Sequence, residues 1–219
     1  MSVSIIIPTY NRCKFSDLIS LNIKLQDYPL IKEIIIADDG DDNERLMLDV
    51  PYTVLYYKVN RCSIGEKRNF LIEKATGDYI ACFDTDDFYH PSHLSTSIFN
   101  LIKSDKQISG SSDMLIMSGE KTYKQRCIYL NLLNEATLVF TKEYGEANKF
   151  SNSMSSEGSA FISGNLADVC ETEIEDIMVC IAHKNNTVDK TPWTTNKYLT
   201  NLDMGVYESH LKLISLLNV

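Results

Sequence analysis

The sequence predicts an α/β fold with a mostly parallel central sheet and helices on both of its faces. Over residues 1–95, short continuous apolar runs alternate with longer segments of helical periodicity. Three of the apolar runs end in polar clusters, at residues 9–12, 38–39 and 84–87. Ligands of such sheets bind beyond the carboxyl ends of the strands, so the sequence also predicts a site at that edge.

The first half of the chain is predicted to alternate strands and helices. The first strand is closed by Pro8, and turn residues 27–29 end the first helix. A short helix is expected after the second strand, and Gly77 is expected to cap the helix that precedes the fourth strand. The predicted strands are residues 3–7, 34–37, 52–57 and 79–83. The main predicted helices are residues 15–25, residues 66–75 and a segment after Pro91 that carries Leu94, Ile98, Leu101 and Ile102 on one stripe.

The second half has a less regular pattern. Phe161 and Ile162 are expected to form a short buried strand, and the Ser-rich residues 151–159 a mobile loop. Three shorter strands are predicted at residues 114–117, 128–133 and 137–140. The spacing of Ile174, Ile177, Met178 and Ile181 predicts an amphipathic helix. Residues 184–195 are predicted to be irregular, and a closing helix is expected over residues 206–217.

Length and charge restrict the classes of function. A chain of 219 residues fits one domain, expected here over residues 1–219. The net charge of −9 excludes a general binder of nucleic acid or anionic membranes, which needs a basic face. The amino terminus lacks the basic segment of a signal peptide, and no apolar stretch is long enough to span a bilayer. These features predict a soluble cytoplasmic protein.

The cysteines predict free thiols. The six cysteines form no CxxC pair and no Cys/His cluster with zinc-finger spacing. Cys82 and Cys180 lie within apolar patterns, where a thiol packs as a small core side chain. We therefore expect a reducing compartment and no structural disulfide.

The fourth predicted strand ends in three carboxylates within four positions, at Asp84, Asp86 and Asp87. Like charges this close cost folding energy unless a cation lies among them. Mg²⁺ or Mn²⁺, held by few protein ligands and completed by substrate phosphates, fits such a set. An Asp-rich turn without any metal is the structural alternative.

Five sequence fragments occur in an order that resembles the family-2 glycosyltransferases of the GT-A fold. The fragments are SIIIPTYNR, IIIADDG, GEKRN, ATGDYIACFDTDD and the pair Glu175-Asp176. The resemblance implies a Rossmann-like, mostly parallel sheet with a smaller acceptor-side C-terminal part. It implies a nucleotide-sugar-binding half over residues 1–95 and an acceptor-binding half over residues 96–219. The implied activity is inverting transfer of a hexose from a nucleotide-sugar, expected to be a UDP-sugar, to an acceptor hydroxyl.

The resemblance also assigns binding roles to particular residues. Asp39 would accept a hydrogen bond from the uracil ring with support from Asp38, and Arg68 would reach the base or the diphosphate. Asp84 and Asp86 match the family's DxD motif, and either Asp86 or Asp87 would ligate Mn²⁺ or Mg²⁺. The full set expected at the nucleotide-sugar is Pro8, Thr9, Tyr10, Arg12, Asp38, Asp39, Gly65, Lys67, Arg68, Asp84, Thr85 and Asp86.

The resemblance implies that a carboxylate takes the proton of the acceptor hydroxyl. Asp176 matches this general base, and Glu175 the residue that orients it or contacts the acceptor. An acidic first turn of a surface helix is the alternative explanation of this pair. His183 and His210 are candidate further metal ligands, although a lone histidine is usually structural. Trp193 is a candidate stacking surface for an acceptor sugar and equally a candidate core residue.

Two other functions remain open from the sequence. A sugar-phosphate nucleotidyltransferase would carry a Gly-rich loop after its first strand, where this chain has residues 8–11 without glycine. A degenerate, non-catalytic binding module would be expected to lose the carboxylates that this chain keeps. The acceptor is left open between a glycan, a lipid-linked sugar and a protein, and so is homo-oligomerisation. The QxxRW motif of processive synthases is absent from the sequence.

Overall fold

The computed structural model describes residues 1–126, 133–152, 157–163, 166–184 and 186–217. Within these residues the strands form a seven-stranded and a five-stranded sheet. The strands are β1 (Val3–Thr9), β2 (Ile31–Asp38), β3 (Thr53–Lys58), β4 (Tyr79–Cys82), β5 (Phe88–Tyr89), β6 (Ile108–Gly110), β7 (Asp113–Ser118), β8 (Lys121–Arg126), β9 (Val139–Thr141), β10 (Val169–Glu171), β11 (Met178–Ile181) and β12 (Leu199–Thr200). The helices are α1 (Ser16–Lys24), α2 (Ile64–Lys74), α3 (His93–Ser104), α4 (Lys142–Ala147), α5 (Gly158–Ser163) and α6 (Glu208–Leu217).

The larger sheet has the order β10-β6-β9-β4-β1-β2-β3. Strands β1 to β4 pair in parallel, and β9 lies antiparallel between β4 and β6. The mostly parallel α/β fold predicted from the sequence is confirmed. Strand β1 has β2 on one side and β4 on the other, so the strand order reverses there and the carboxyl ends of these strands border one crevice. Because β9 and β10 follow residue 96, both predicted halves of the chain contribute to this sheet.

Strand β1 is buried along its whole length because both faces of the sheet are covered. Alternate side chains of a strand point to opposite faces. Accordingly Ile5 and Ile7 pack in one core cluster with Leu18 of α1, and Ile6 packs in another with Leu71 of α2. The predicted apolar runs therefore mark the strands of a two-faced core.

Helix α2 begins with a capping box. The Ser63 hydroxyl accepts a hydrogen bond from the Glu66 N–H (3.1 Å), and the Glu66 carboxylate accepts one from the Ser63 N–H (2.8 Å). The prediction that Gly77 caps this helix is wrong, because the C-cap is Ala75. A Cβ on Gly77 would lie 2.6 Å from the backbone nitrogen of Ser4, so this glycine permits close approach of β1 instead.

The predicted amphipathic helix around Ile177 is wrong. The segment forms a 3₁₀ turn, Ile174–Asp176, followed by the fully buried strand β11. Strand β11 pairs antiparallel with β5 and parallel with β7, in a sheet of order β12-β8-β7-β11-β5. Short apolar runs fit a buried strand and a helix equally well, and here the pairing partners decide.

Other predictions in the second half have mixed outcomes. The strand at residues 114–117 is confirmed as β7, and the closing helix as α6. The predicted strand at Phe161 and Ile162 is wrong: both residues lie in α5, where the Phe161 ring stacks on that of Phe150. Residues 128–132 of one predicted strand and residues 153–156 of the Ser-rich loop lie outside the described residues.

Two features of the described residues concern thiols and membranes. The thiols of Cys13, Cys62, Cys82, Cys170 and Cys180 are free, and those of Cys82 and Cys180 are buried as expected. In the same parts of the chain, no helix combines the length and the apolar composition that crossing a bilayer requires.

Candidate active site

A cavity of about 630 Å³ opens at the carboxyl ends of β1 and β4, a volume within the usual range of ligand sites. The first sheet contributes the last residues of β1 and the residues that follow β1 and β4, and the second sheet contributes residues of β7, β8 and β11. Ten residues predicted for the nucleotide-sugar or the metal line it: Pro8, Thr9, Tyr10, Arg12, Lys67, Arg68, Asp84, Thr85, Asp86 and Asp87. Five predicted site residues are not among its lining: Asp38, Asp39, Gly65, Glu175 and Asp176.

Asp39 lies buried behind the cavity wall. Its carboxylate accepts hydrogen bonds from Lys67 Nζ (2.6 Å), from Arg61 (3.1 Å) and from the Cys62 N–H (3.1 Å). Burial alone would raise the pKa of Asp39, but these bonds hold it below its ordinary value. Lys67 also donates to the Thr9 carbonyl (2.9 Å), so Asp39 fixes two cations at the rim of the cavity.

Arg61 is a site residue that no sequence motif indicated. Its guanidinium lies 3.7 Å from the centroid of the Tyr10 ring, and its side chain is 53% exposed. Both residues line the cavity and form a flat cationic and aromatic surface. The sequence offers little signal for this pair, because Arg61 lies in an irregular segment ahead of α2.

Asp38 and Gly65 shape the backbone near the cavity. Asp38 accepts hydrogen bonds from the Gly40 N–H and the Tyr56 hydroxyl, both at 2.8 Å, and thereby closes the turn after β2. A Cβ on Gly65 would lie 1.9 Å from the Ser151 carbonyl oxygen. Glycine is therefore required at position 65 for close chain approach.

Arg68 is fully buried and joins three segments of the chain. Its nitrogens lie 3.2 Å from Asp84, 3.1 Å from Glu157 and 3.1 Å from the Glu135 carbonyl oxygen. Burial alone would lower the pKa of Arg68, but the Asp84 and Glu157 carboxylates raise it and keep the group charged. The guanidinium thus organises the cavity wall, with Glu135 and Glu157 as lining residues that no sequence motif indicated.

The acidic run after β4 separates its carboxylates into different environments. Asp86 Oδ2 lies 3.4 Å from Arg12 and 3.0 Å from His183 Nε2. Asp87 is buried, and its carboxylate accepts a hydrogen bond from the Ile181 N–H (3.1 Å). Burial, with the charges of Asp86 and Asp84, raises the pKa of Asp87 to about 8.

The two candidate histidines have different positions. His183 reaches the acidic run through its contact with Asp86, and its ring packs on that of Phe15 at 5.4 Å. His210 is buried elsewhere, with its Nε2 2.9 Å from Asn22 Oδ1. Among the described residues, no three His, Cys, Asp or Glu side chains converge as a metal-binding group.

The segment after β11 covers one side of the cavity with Lys190 and Trp193. Lys190 Nζ lies 5.4 Å from the centroid of the Trp193 ring. Burial alone would lower the pKa of Lys190, but the neighbouring Cys180, Asp87 and Asp84 raise it. Trp193 lines the cavity and also packs against the hydrophobic core, so both sequence interpretations of Trp193 stay open. Lys190 is a cation that no sequence motif indicated.

Glu175 and Asp176 lie on the 3₁₀ turn before β11. Glu175 forms an ion pair with Lys124 of β8 (2.9 Å). Burial lowers the pKa of His90 and raises that of Tyr207, which lies directly before α6, and the negative charge of Asp176 acts to raise both pKa values. Their neighbours Ile174 and Met178 line the cavity, whereas these two carboxylate residues are not among the lining.

The fold and the acidic cavity define a GT-A protein with a ligand site at the switch point of its sheet. The family model described as Glycosyl transferase family 2 matches residues 4–163, which is 160 of 219 positions. The chain belongs to this family of glycosyltransferases. The matched range ends before Glu175 and Asp176, so the match does not extend to the predicted catalytic pair.

Sequence relatives include an uncharacterized glycosyltransferase of Rickettsia typhi, 29% identical over 57% of this chain and 38% of the relative. An uncharacterized glycosyltransferase of Haemophilus influenzae is 23% identical over 94% of this chain and 91% of the relative. The Staphylococcus aureus poly(ribitol-phosphate) beta-N-acetylglucosaminyltransferase TarS is 27% identical over 43% of this chain and 18% of the relative. The chain spans only 18% to 38% of the length of the first relatives it matches.

Solved structures share the fold. S. aureus TarS 1–349 in complex with UDP-GlcNAc matches with a TM-score of 0.63 and 15% identity, over 99% of this chain and 65% of that one. A mannosyltransferase from Pyrobaculum calidifontis in complex with GDP-Man and Mn²⁺ matches with a TM-score of 0.61 and 15% identity, over 84% of this chain and 58% of that one. At this level of identity, the likeness establishes the fold.

Proposed function

We propose that this chain is a metal-dependent inverting glycosyltransferase that moves a sugar from a nucleotide-sugar, in the first instance a UDP-sugar, to an acceptor hydroxyl. The observation that carries the proposal is the pairing of the acidic run with cations in one cavity. Asp84 and Asp86 line it together with Arg12, Lys67 and Lys190. Carboxylates suit a divalent cation, and fixed cations suit the phosphates that such a cation bridges.

The residues at Asp86 fit a divalent metal. The Asp86 carboxylate and the His183 imidazole, 3.0 Å apart, offer one oxygen and one nitrogen donor. This mixed pair suits Mn²⁺ better than Mg²⁺, which prefers oxygen ligands. When bound, the metal would act as a Lewis acid on the leaving diphosphate. Asp87 is a weaker candidate because its carboxylate is buried and bonded to the Ile181 N–H.

The rim of the cavity supports binding of the nucleoside. Tyr10 and Arg61 form a flat surface on which a base would stack, and Asp39 holds Arg61 and Lys67 in place. The two solved neighbours that contain a nucleotide-sugar, TarS with UDP-GlcNAc and the mannosyltransferase with GDP-Man, are consistent with such a donor. The sugars bound to those two proteins do not identify the donor of this chain, so a panel of nucleotide-sugars has to be assayed.

Inverting transfer also requires a proton acceptor for the attacking hydroxyl. The family resemblance assigns this role to Asp176, and the assignment remains a prediction that the variant Asp176→Asn tests. If Asp176 is the base, this variant keeps nucleotide binding and loses turnover.

Thermal unfolding with nucleotides and metals tests the proposal. UDP with Mn²⁺ is expected to raise Tm, and each component alone is expected to raise it less, because ligands that bind the native state stabilise it. GDP with Mn²⁺ and UDP with Mg²⁺ complete the panel. The matching nucleotide-sugars are then assayed for release of the nucleoside diphosphate. No Tm shift with any nucleotide and metal would contradict the proposal.

Turnover separates the two alternatives retained from the sequence. A degenerate binding module would show the Tm shift without release of nucleoside diphosphate from any bound donor. A nucleotidyltransferase would instead release pyrophosphate from a nucleoside triphosphate and a sugar phosphate. The transferase is expected to release the nucleoside diphosphate alone.

A further inference from the structure

Glu135 occupies a central position in the cavity wall. It begins the 3₁₀ turn Glu135–Thr137, is half-buried and lines the cavity. Its carbonyl oxygen accepts a hydrogen bond from Arg68, whose other nitrogen contacts Asp84. One buried guanidinium therefore holds the Glu135 backbone next to the acidic run.

The Glu135 side chain is fixed by a glycine. Its Oε1 accepts a hydrogen bond from the Gly158 N–H at 3.0 Å. A Cβ at position 158 would lie 2.7 Å from Glu135 Cγ and 3.0 Å from Oε1. Because real Cβ atoms do not approach so closely, the Glu135 carboxylate occupies the space that a side chain at position 158 would need.

The other lining carboxylates already have strong partners. Asp84 and Glu157 contact Arg68, and Asp86 contacts Arg12 and His183. Asp87 is buried and bonded to the Ile181 N–H. In the described parts of the chain, Glu135 is half-buried, forms no salt bridge and has one neutral hydrogen-bond donor.

We propose that Glu135, which lines the cavity, is the general base of the transfer reaction in place of Asp176, which is not among the lining residues, and that Gly158 is the positioning residue of Glu135. This inference rests on the proposed function. The acceptor O–H bond breaks and its proton moves to the Glu135 carboxylate, while the oxygen forms a bond to the anomeric carbon. The bond from that carbon to the diphosphate breaks, and the nucleoside diphosphate leaves with the electron pair. The proton on Glu135 passes to water after product release.

The variant Glu135→Gln tests the base directly. It keeps the size of the side chain and the acceptor for the Gly158 N–H, so the UDP and Mn²⁺ Tm shift is expected to stay at the wild-type value. Release of nucleoside diphosphate from a donor that binds is expected to fall by about 10²- to 10⁴-fold, the usual contribution of a general base. Glu143→Gln, on the exposed side of α4, is the matched control and is expected to keep full turnover.

Variants at position 158 test the positioning role. Gly158→Ala is expected to displace the Glu135 carboxylate and reduce turnover, with nucleotide binding retained. Glu135→Ala is expected to reduce turnover, and the double variant Glu135→Ala/Gly158→Asp to recover at least about tenfold of it by returning a carboxylate to the vacated space. If the role of Glu135 were only structural, the double variant would recover no turnover. That result would overturn the assignment of Gly158 as a positioning residue.

Each remaining outcome decides between the inference and the function on which it rests. If Glu135→Gln keeps wild-type turnover, or if Asp176→Asn loses turnover and Glu135→Gln does not, Glu135 is not the base. The proposed transferase function would still stand in both cases. Nucleotide binding by the wild type without turnover of any bound donor would overturn both. No nucleotide binding by the wild type would remove the proposed function itself.

Discussion

At the scale of single residues, the contact between His183 and Asp86 joins positions 97 residues apart in the chain. Nothing local to His183 in the sequence distinguishes it from a structural histidine. Its position follows from β11, which pairs with β5 and so carries the residues after it to the acidic run. This is why the sequence offers His183 and His210 as equal candidates, and only the folded protein separates them by placing His183 at Asp86 and His210 at Asn22.

His183→Gln is expected to weaken the metal-dependent part of nucleotide binding. Loss of one of two protein donors should weaken Mn²⁺ binding in the presence of UDP by about tenfold or more. A titration of the UDP-dependent Tm shift with MnCl₂ measures this change. His90→Gln is the control, since the His90 ring bonds to Ser92 and packs on Tyr207, whereas the His183 ring contacts Asp86. Unchanged Mn²⁺ dependence in His183→Gln would remove this residue from the metal site.

Sequence patterns predict the part of the site that follows the strands. The rest of the site depends on tertiary contacts, which no local pattern encodes. The carboxylates at residues 84–87 and the polar residues after β1 follow strands that the sequence predicts from their apolar runs. Arg61, Glu135, Glu157 and Lys190 come from irregular segments and reach the cavity only through tertiary contacts. The sequence predicts that Asp39 binds the base, which stays a prediction, and the burial of its carboxylate behind Lys67 depends on packing that no local pattern encodes.

At the scale of elements, the first turn of α2 positions two site residues. Lys67 and Arg68 follow directly after the capping box of Ser63 and Glu66. The cap therefore fixes the backbone position from which both side chains extend towards the cavity. The parallel strands were predictable because they are continuous apolar runs, and α1 and α3 because their apolar side chains recur at helical spacing. Strand β11 was not, because its four buried residues carry no period that separates strand from helix.

Ser63→Ala is expected to lower the free energy of unfolding by about 1 kcal/mol, because the Glu66 N–H loses its side-chain acceptor. In a chain of this length, that corresponds to a fall in Tm of about 2–4 °C. Differential scanning calorimetry measures the change. Ser104→Ala, at the exposed end of α3, is the control and is expected to have little effect. An equal effect of both variants would argue against the cap.

At the scale of the whole molecule, two buried histidines make stability depend on pH. Burial lowers the pKa of His93 to about 3 and that of His210 to about 4. Unfolded imidazoles bind protons below about pH 6.5, whereas these two stay neutral in the folded chain. Acid therefore favours the unfolded chain, and stability should fall as the pH falls from about 6.5 to about 4.

His210→Gln is expected to flatten this pH dependence. Glutamine can retain a donor for Asn22 Oδ1 but cannot take up the proton that an unfolded histidine binds. Chemical denaturation at a series of pH values from about 7 to about 4.5 measures the slope. Ser209→Ala, an exposed neighbour on α6, is the control and should keep the wild-type slope. An unchanged slope in His210→Gln would contradict the expectation.

The buried Arg68 has a consequence for the order in which the chain can fold during synthesis. Asp84 leaves the ribosome soon after Arg68, but the Glu135 carbonyl and the Glu157 carboxylate arrive much later. A buried charge that lacks partners costs several kcal/mol, on the order of 3–5. Nascent chains that end before residue 157 are therefore expected to be more sensitive to protease than longer ones, which pulse proteolysis of arrested chains would measure. The segment around Arg68 is therefore expected to become stable only after the segments that carry Glu135 and Glu157 have been made.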